Sequence, residues 1–233
     1  MSAIQSVPEE LAKFENLQIQ LSDIKRATSI HTELIALAES LVRRFPHEAD
    51  AHHLLGIAWY EYPCASSYRS WRCKSSLMKA VQIEPDHQYA LQYLAYLAFD
   101  QERYDEALKF QQQLKHDYFI ERDQEWRALK NAETSLVCKV RICSDELPEQ
   151  EFSAFCTWYL DAEKRENSID PNGSYVWPQE LRELAEWLFE NGTVISDAKL
   201  QKILKFLHQI SYHNTLRNME LRSYTEALPD LHG

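Results

Sequence analysis

Histidine and cysteine are the side chains of this sequence best able to bind a metal ion. The chain of 233 residues contains nine His and five Cys, the cysteines at positions 64, 73, 138, 143 and 156. Structural zinc sites use closely spaced ligand pairs such as CxxC, and these cysteines form no such pair. His47, His52 and His53 are close in sequence, but the adjacent His52 and His53 point to different faces of a helix. We therefore expect no metal site and no cofactor.

Catalytic patterns give a similar expectation. The sequence has no Gly-rich phosphate loop, no GxSxG elbow and no HExxH pair. Asp161, Glu163, Glu166 and Asp170 cluster, but a run of charge at a helix end is typical of a solvated surface. We expect a protein that is not an enzyme. A hydrolase or transferase on a helical scaffold is a third-ranked hypothesis, which requires a deep pocket with perturbed carboxylates.

The low glycine content predicts the fold class. Only four glycines occur in the chain, whereas 45% of its residues are hydrophobic. Hairpin turns, phosphate loops and strand bulges all depend on glycine. A chain with so few of them, and with this much core-forming material, is predicted to be all-α.

The charge balance is acidic. The chain has 36 Asp and Glu against 25 Lys and Arg, a formal net charge of −11. Nucleic-acid binding needs clustered cations, so we expect no nucleic-acid partner, and an acidic chain favours a basic protein. The N-terminus lacks the pattern of a signal peptide, and no apolar run is long enough for a membrane span. Reduced, unpaired cysteines agree with this, and we expect a cytoplasmic protein without membrane contact.

Apolar periodicity and proline positions predict helices arranged as hairpins. Ser6-Val7-Pro8-Glu9 is typical of a helix start, and apolar residues at helical period follow it. Short connections between consecutive helices indicate antiparallel pairs. The predicted helices after the first one span 29–45, 48–62, 71–83, 88–99, 104–118, 125–143, 150–164 and 179–192, and the last begins at Ser196 and extends as far as Ala227.

Two of these hairpins resemble tetratricopeptide repeats, and residues 11–46, which end in Leu41 and Pro46, resemble a more diverged repeat. Leu55-Gly56 followed by Trp59-Tyr60 is similar to the first helix of such a repeat, with a large and a small residue side by side. Further along, Leu94-Ala95 and Ala107 match the same pattern. In the first of the two hairpins, the packing positions of the second helix hold Cys73, Leu77 and Ala80, and Pro85 is the terminal proline of that repeat.

The resemblance covers roughly residues 11–120. Pro46 and Pro85 are 39 residues apart, whereas the tetratricopeptide period is 34, so we assign the excess to an inserted loop before Trp71. The predicted fold is a stack of antiparallel helix hairpins, a TPR-like α-solenoid, followed by a non-repeating helical half. We divide the chain into a repeat region, 1–145, and a C-terminal helical cap, 146–233, and expect the two to pack as one unit.

The resemblance implies a binding groove along the first helices of successive hairpins. In the family, these helices line a concave face that holds a peptide. A basic version of this groove grips a terminal carboxylate, but His53 and Ile57 occupy the matching positions here, which disfavours it. Some of the aromatic residues could instead be buried under the next helix. The matching positions are Asp50, His53, Ile57, Tyr60, Tyr89, Gln92, Tyr96 and Phe99.

The inserted loop is a second candidate surface. It combines basic and aromatic side chains in an otherwise acidic chain, and these residue types are enriched at binding hot spots. Alternatively, Trp71 only anchors the loop to the helices. The candidate residues are Tyr68, Arg69, Trp71 and Arg72.

Two functional hypotheses follow. The first is a cytoplasmic adaptor or scaffold that binds a protein or peptide through the concave face. The second is an immunity-type inhibitor that occludes a basic toxin or effector, because charge complementarity speeds capture. A stripe of glutamates on the predicted helix 179–192 supports the second hypothesis: Glu180, Glu183, Glu186 and Glu190. The sequence leaves the oligomeric state open.

Overall fold

In the part of the chain that it describes, the computed structural model consists of helices joined by short connections and has no strand, which confirms the all-α class. The described residues are 12–14, 16–18, 27–63, 66–142, 147–169, 178–191, 193 and 197–209. Residues 12–14 and 16–18 are helical. The helices after them are α1 (Ala27–Arg44), α2 (Ala49–Glu61), α3 (Ser67–Ile83), α4 (Gln88–Asp100), α5 (Tyr104–Gln111), α6 (His116–Ile120), α7 (Glu125–Ile142), α8 (Glu149–Ile169), α9 (Gln179–Glu190) and α10 (Ala198–Gln209).

Several predictions from the sequence lie outside these residues. They are the capping sequence at Ser6–Glu9, Cys64, Cys143, the cap at Ser196 and the continuation of the last helix to Ala227. None of the described helices is both long and apolar enough to cross a membrane.

The chain forms two compact units, Met1–Leu114 and Lys115–Gly233. Helices α1 to α5 belong to the first unit, and α6 to α10 belong to the second. Helix α7, which the sequence-based division at residue 145 assigns to the repeat region, is part of the second unit.

Prolines and local hydrogen bonds set the ends of the helices in the first unit. A residue before proline is disfavoured in the α conformation, and Pro46, Pro63 and Pro85 each follow the end of a helix by two residues. Ser66 begins α3, because its Oγ accepts a hydrogen bond from the backbone N–H of Arg69 at 3.1 Å. These signals place the helix boundaries near those predicted from sequence.

Two boundaries differ from the prediction. Helix α3 begins at Ser67 rather than Trp71, because the Ser66 cap starts it one turn earlier. Tyr68, Arg69, Trp71 and Arg72 therefore lie on a helix, and their assignment to an inserted loop is wrong. Helix α5 ends at Gln111 rather than continuing to Tyr118, since Gln113 and Leu114 donate backbone hydrogen bonds three residues back and close the last turn.

The hairpin of α2 and α3 depends on Gly56. A Cβ atom added there would lie 2.5 Å from Leu77 Cγ, closer than real Cβ atoms approach any neighbour. The missing side chain allows the two helices to approach, as the Leu55-Gly56 pair predicts. Leu77 then packs with Cys73, Ala80, Ala90 and Leu94 in one hydrophobic cluster that joins α3 to α4.

Helix α4 ends without glycine. Glu102 adopts a left-handed conformation with φ 57°. The backbone N–H of Glu102 donates to Phe99 O at 2.8 Å, and that of Arg103 donates to Ala98 O at 2.9 Å. This pair of bonds is a Schellman motif, which glycine usually completes. The low glycine count is therefore compatible with tight connections, because a glutamate occupies the strained position.

A buried glutamate organises the second unit. Glu133 of α7 accepts a hydrogen bond from the backbone N–H of Leu181, in the first turn of α9, at 3.0 Å. Lys130 Nζ lies 3.0 Å from Glu133 Oε2 and 2.9 Å from Glu180 Oε1. Burial raises the pKa of Glu133 to about 7, although Lys130 and Leu181 favour the charged form. The carboxyl group of Glu133 on α7 therefore caps the N-terminal end of α9, and this contact fixes the two helices against each other.

We predict that Gly56→Ala destabilises the protein by up to about 2 kcal/mol. Overpacking against Leu77 costs about 1–3 kcal/mol, and the better helix propensity of Ala returns about 1 kcal/mol. The measurement is urea unfolding followed by circular dichroism. In the Leu77→Ala background the same change should become neutral or stabilising, because the clash is gone. Equal effects in both backgrounds would contradict close packing at this position.

We predict that the stability of the wild-type protein falls as pH rises from 5 to 8, because of Glu133. The folded carboxyl has the higher pKa, so the folded state binds the proton more tightly and loses stability as pH rises through 7. Glu133→Gln keeps an oxygen acceptor for Leu181 and should remove this dependence. Urea unfolding at both pH values tests this, with the exposed Glu166→Gln as control. The same pH dependence in Glu133→Gln would show that the carboxylate is charged when folded.

Candidate functional site

Helices α2 and α4 lie side by side and run in the same direction. At their N-terminal ends Asp50 Oδ1 is 3.1 Å from His87 Nε2, and at their C-terminal ends Tyr60 OH donates to Asp100 Oδ2 at 2.7 Å. These pairs are 37 and 40 residues apart in sequence. These separations are close to the 39 residues between Pro46 and Pro85, the prolines that follow α1 and α3.

Aromatic rings connect the two helices between these hydrogen bonds. The ring of Tyr93 contacts Tyr60 edge to face at 5.3 Å, Tyr96 at 6.0 Å and His53 at 5.9 Å. His53 also stacks on Tyr89 at 5.8 Å. Each such ring pair stabilises the folded state by about 0.5–1.5 kcal/mol beyond the hydrophobic contribution of the area that the rings bury. The rings therefore hold one another in place.

Four half-buried tyrosines form the accessible part of this network. We call the surface made by Tyr60, Tyr89, Tyr93 and Tyr96 the tyrosine face. Asp50 lies at one end of it and Asp100 at the other, and both are exposed. Apolar rings lie between two carboxylates, an arrangement that suits contact with another molecule.

Three of the residues predicted to line the groove are buried instead. Ile57 and His53 are buried in α2, and Gln92 is completely inaccessible in α4. Gln92 has a supporting role, because its Nε2 donates to Tyr96 OH at 3.0 Å. Phe99 is half-buried and packs edge to face on Tyr104. The helical period placed these residues on two helices that lie side by side, but it did not give the rotation of each helix about its axis.

Tyr93 contacts three neighbouring rings, and it is not among the positions predicted from the sequence to line the groove. Tyr89, Tyr93 and Tyr96 recur at i, i+4 and i+7, so they lie on one side of α4. A search of the sequence for tyrosines at this spacing identifies Tyr93.

Burial and hydrogen bonds set the ionisation states along the tyrosine face. Burial, together with the neighbouring Asp100 carboxylate, raises the pKa of Tyr60. Tyr60 is therefore a neutral hydrogen-bond donor at physiological pH. The hydrogen bond from His87 lowers the pKa of Asp50, against a smaller opposing effect of burial. The carboxylate of Asp50 is therefore fully charged at neutral pH.

Asp50, His53 and His87 form a cluster of potential metal ligands, with donor atoms within 4.8 Å of one another. The spacing of the histidines in the sequence does not indicate this cluster, because His87 comes from the next hairpin. Its hydrogen bonds do not suit a metal, however. His87 Nδ1 accepts from the backbone N–H of Ala90 at 3.1 Å, so in the neutral ring the proton is on Nε2, facing Asp50. A metal at Nε2 requires the opposite tautomer and would disrupt this cap.

The second predicted surface lies on α3. Tyr68 and Trp71 are 57% and 61% exposed, so both present large rings to solvent. The guanidinium of Arg72 lies over the ring of Trp59 at 5.1 Å and pairs with Glu39 at 2.6 Å. A cleft of about 360 Å³ opens between α1 and α3, and Leu55 forms part of its wall. Its lining residues are Glu39, Val42, Arg43, Leu55, Trp71, Arg72, Ser75 and Ser76.

Arg69 belongs to the scaffold of the first unit. Its guanidinium donates to the backbone oxygens of Tyr60 at 3.2 Å and Tyr62 at 3.0 Å. The carbonyls at the end of a helix lack partners within that helix. Arg69 therefore closes the end of α2 from the first turn of α3.

The glutamate stripe of α9 is partly neutralised. Glu180 pairs with Lys130 at 2.9 Å, and Glu186 lies 3.6 Å from Arg182. Glu183 and Glu190 are exposed, and Glu183 accepts a hydrogen bond from Gln179 at 2.7 Å. The negative potential of this stripe is smaller than four glutamates alone would produce.

Comparison with known proteins gives no family for the chain. No protein-family model matches the sequence, and no curated protein matches it. The resemblance to tetratricopeptide repeats therefore stays a prediction that rests on residues such as Gly56, Leu77 and Pro85.

We predict that His87→Ala lowers the unfolding free energy by about 1 kcal/mol, because α4 loses its N-terminal cap. His87→Asn should recover most of this, since Asn is among the best capping residues. Urea unfolding measures both variants. A melting temperature that rises with Zn²⁺ in the wild type, but not in His87→Asn, would show that the cluster binds metal and that the assignment as a cap is incomplete.

Proposed function

We propose that this protein is an interaction module that binds a polypeptide partner through the tyrosine face. The observation that carries the proposal is the row of half-buried tyrosines on α2 and α4, held by one another and bordered by exposed carboxylates. Tyrosine provides apolar contact area and a polar hydroxyl at low entropic cost, and it is enriched at protein interfaces. The proposed role needs neither a cofactor nor catalysis.

The dimensions of the tyrosine face favour an extended segment of chain. Helix α4 has 13 residues, which correspond to a length of about 20 Å. An extended peptide rises about 3.3 Å per residue, so roughly six residues span this length. A surface of this length is larger than one small molecule needs, and it fits the side chains of a peptide laid along the helix.

The exposed rings of α3 provide a second candidate surface for the same function. Tyr68 and Trp71 are aromatic residues of the kind that dominate binding energy at interfaces. The nearby cleft could take a side chain of the partner. The tyrosine face remains the stronger candidate, because its rings are fixed by contacts on several sides.

An inhibitor of a basic toxin or effector is the alternative function. It is supported by the net charge of −11 and by the exposed Glu183 and Glu190 on α9. This alternative predicts a strongly salt-dependent association rate that Glu183→Gln with Glu190→Gln reduces. A toxin-like reading frame next to the gene would favour it.

We predict that the double variant Tyr60→Ala/Tyr96→Ala reduces partner binding at least tenfold. Each truncation removes a large contact residue, and hot-spot aromatics typically contribute more than 1 kcal/mol each. The partner is captured from a lysate of the source cells on immobilised protein and identified by mass spectrometry, and its affinity is then measured with purified components.

Tyr68→Ala/Trp71→Ala is the matched control, since it removes two exposed aromatic residues from α3 instead. Circular dichroism shows whether each variant is folded. Unchanged binding in the folded Tyr60→Ala/Tyr96→Ala variant would rule out the tyrosine face, and loss of binding in the control alone would move the site to α3.

A further inference from the structure

We infer that the tyrosine face selects an extended segment that carries two Lys or Arg residues about six positions apart, one for Asp50 and one for Asp100. This inference rests on the proposed function and specifies the chemistry of the partner. It follows from the placement of the two carboxylates, from the length of the tyrosine face and from the nature of its rings.

The carboxylates lie at opposite ends of the tyrosine face. The side chain of Asp50 is 77% exposed, and its contact with His87 holds it at the N-terminal end of the paired helices. Asp100 is exposed at the C-terminal end, where it accepts the hydroxyl of Tyr60. A carboxylate accepts several hydrogen bonds, so neither contact prevents an interaction with a cation.

Helix geometry sets the distance between the two carboxylates. Asp50 lies beside the residue that caps α4, and Asp100 is the last residue of that helix. A rise of 1.5 Å per residue gives a separation of about 15 to 20 Å along the axis. Five or six residues of extended chain span this distance. Alternate side chains of an extended peptide point the same way, so a separation of six residues is favoured.

The surface between the carboxylates also favours a basic segment. Tyrosine rings attract Lys and Arg side chains through their electron-rich faces. The net charge of −11 adds a long-range attraction for the same kind of partner.

The first experiment is selection from a random library of 12-residue peptides on the immobilised full-length protein. Peptides that also bind the folded Tyr60→Ala/Tyr96→Ala variant are removed. We expect the remaining sequences to be enriched in pairs of Lys or Arg five or six positions apart. Enrichment of sequences without such pairs would overturn the inference and leave the proposed function supported. Failure to recover any peptide that depends on the tyrosines would overturn the proposed function itself.

The second experiment measures one enriched peptide by fluorescence anisotropy. Asp50→Asn and Asp100→Asn each keep an oxygen that accepts the existing hydrogen bond, so the tyrosine face stays intact. We expect each to weaken binding about two- to fivefold, as for exposed ion pairs. Asp105→Asn, an exposed aspartate in the first turn of α5, is the control and should bind like the wild type.

Exchanging the lysines of the peptide for glutamine identifies the pairing. Each Asp→Asn change should then have no further effect on the affinity for the peptide that lacks the lysine paired with that aspartate. Affinity for the unmodified peptide should also fall as salt rises from 50 to 500 mM, a range chosen to screen exposed charges. If Asp105→Asn loses as much affinity as Asp50→Asn and Asp100→Asn, only the overall charge of the protein matters. That result would overturn recognition of the peptide at two points.

Discussion

The close approach of α2 and α3 at Gly56 is the constraint on which the first unit depends. Because no side chain occupies this position, Leu77 enters the space between the helices and reaches the cluster that includes Ala90 and Leu94. Helix α4 consequently packs against the first hairpin at a short distance. Tyr60 and Tyr93 pack against the same cluster, so this contact supports the position of α4 beside α2 and the tyrosine face that the two helices carry.

Local signals in the sequence predict much of this arrangement. Pro46, Pro63 and Pro85 mark the ends of three helices, and the Leu55-Gly56 pair marks the crossing of a hairpin. These signals act over a few residues, where backbone geometry and the size of one side chain determine the outcome. The all-helical class, the order of the helices and the pair of helices that carries the tyrosine face could all be predicted in this way.

The details of the candidate site depend on contacts between distant residues, and they could not be predicted. Helical period counted over all residue types does not distinguish Gln92, which is buried beneath the tyrosine face, from Tyr93 at its centre, whereas the spacing of the tyrosines alone does. The contact of His87 with Asp50 requires the register of two hairpins, which a sequence does not contain explicitly. In the second unit, the cap that Glu133 provides for α9 joins residues 48 positions apart and has no local signature.

The ring contacts of the tyrosine face also affect the energetics of association. Tyr93 touches three neighbouring rings, and Gln92 and Asp100 hold the hydroxyl groups of Tyr96 and Tyr60. Side chains that are already ordered lose little rotational freedom when a ligand docks, whereas mobile ones lose about 0.5–1.5 kcal/mol each. A surface ordered in this way before the encounter retains more of its contact energy as affinity, and the gain is expressed mainly as a longer lifetime of the complex.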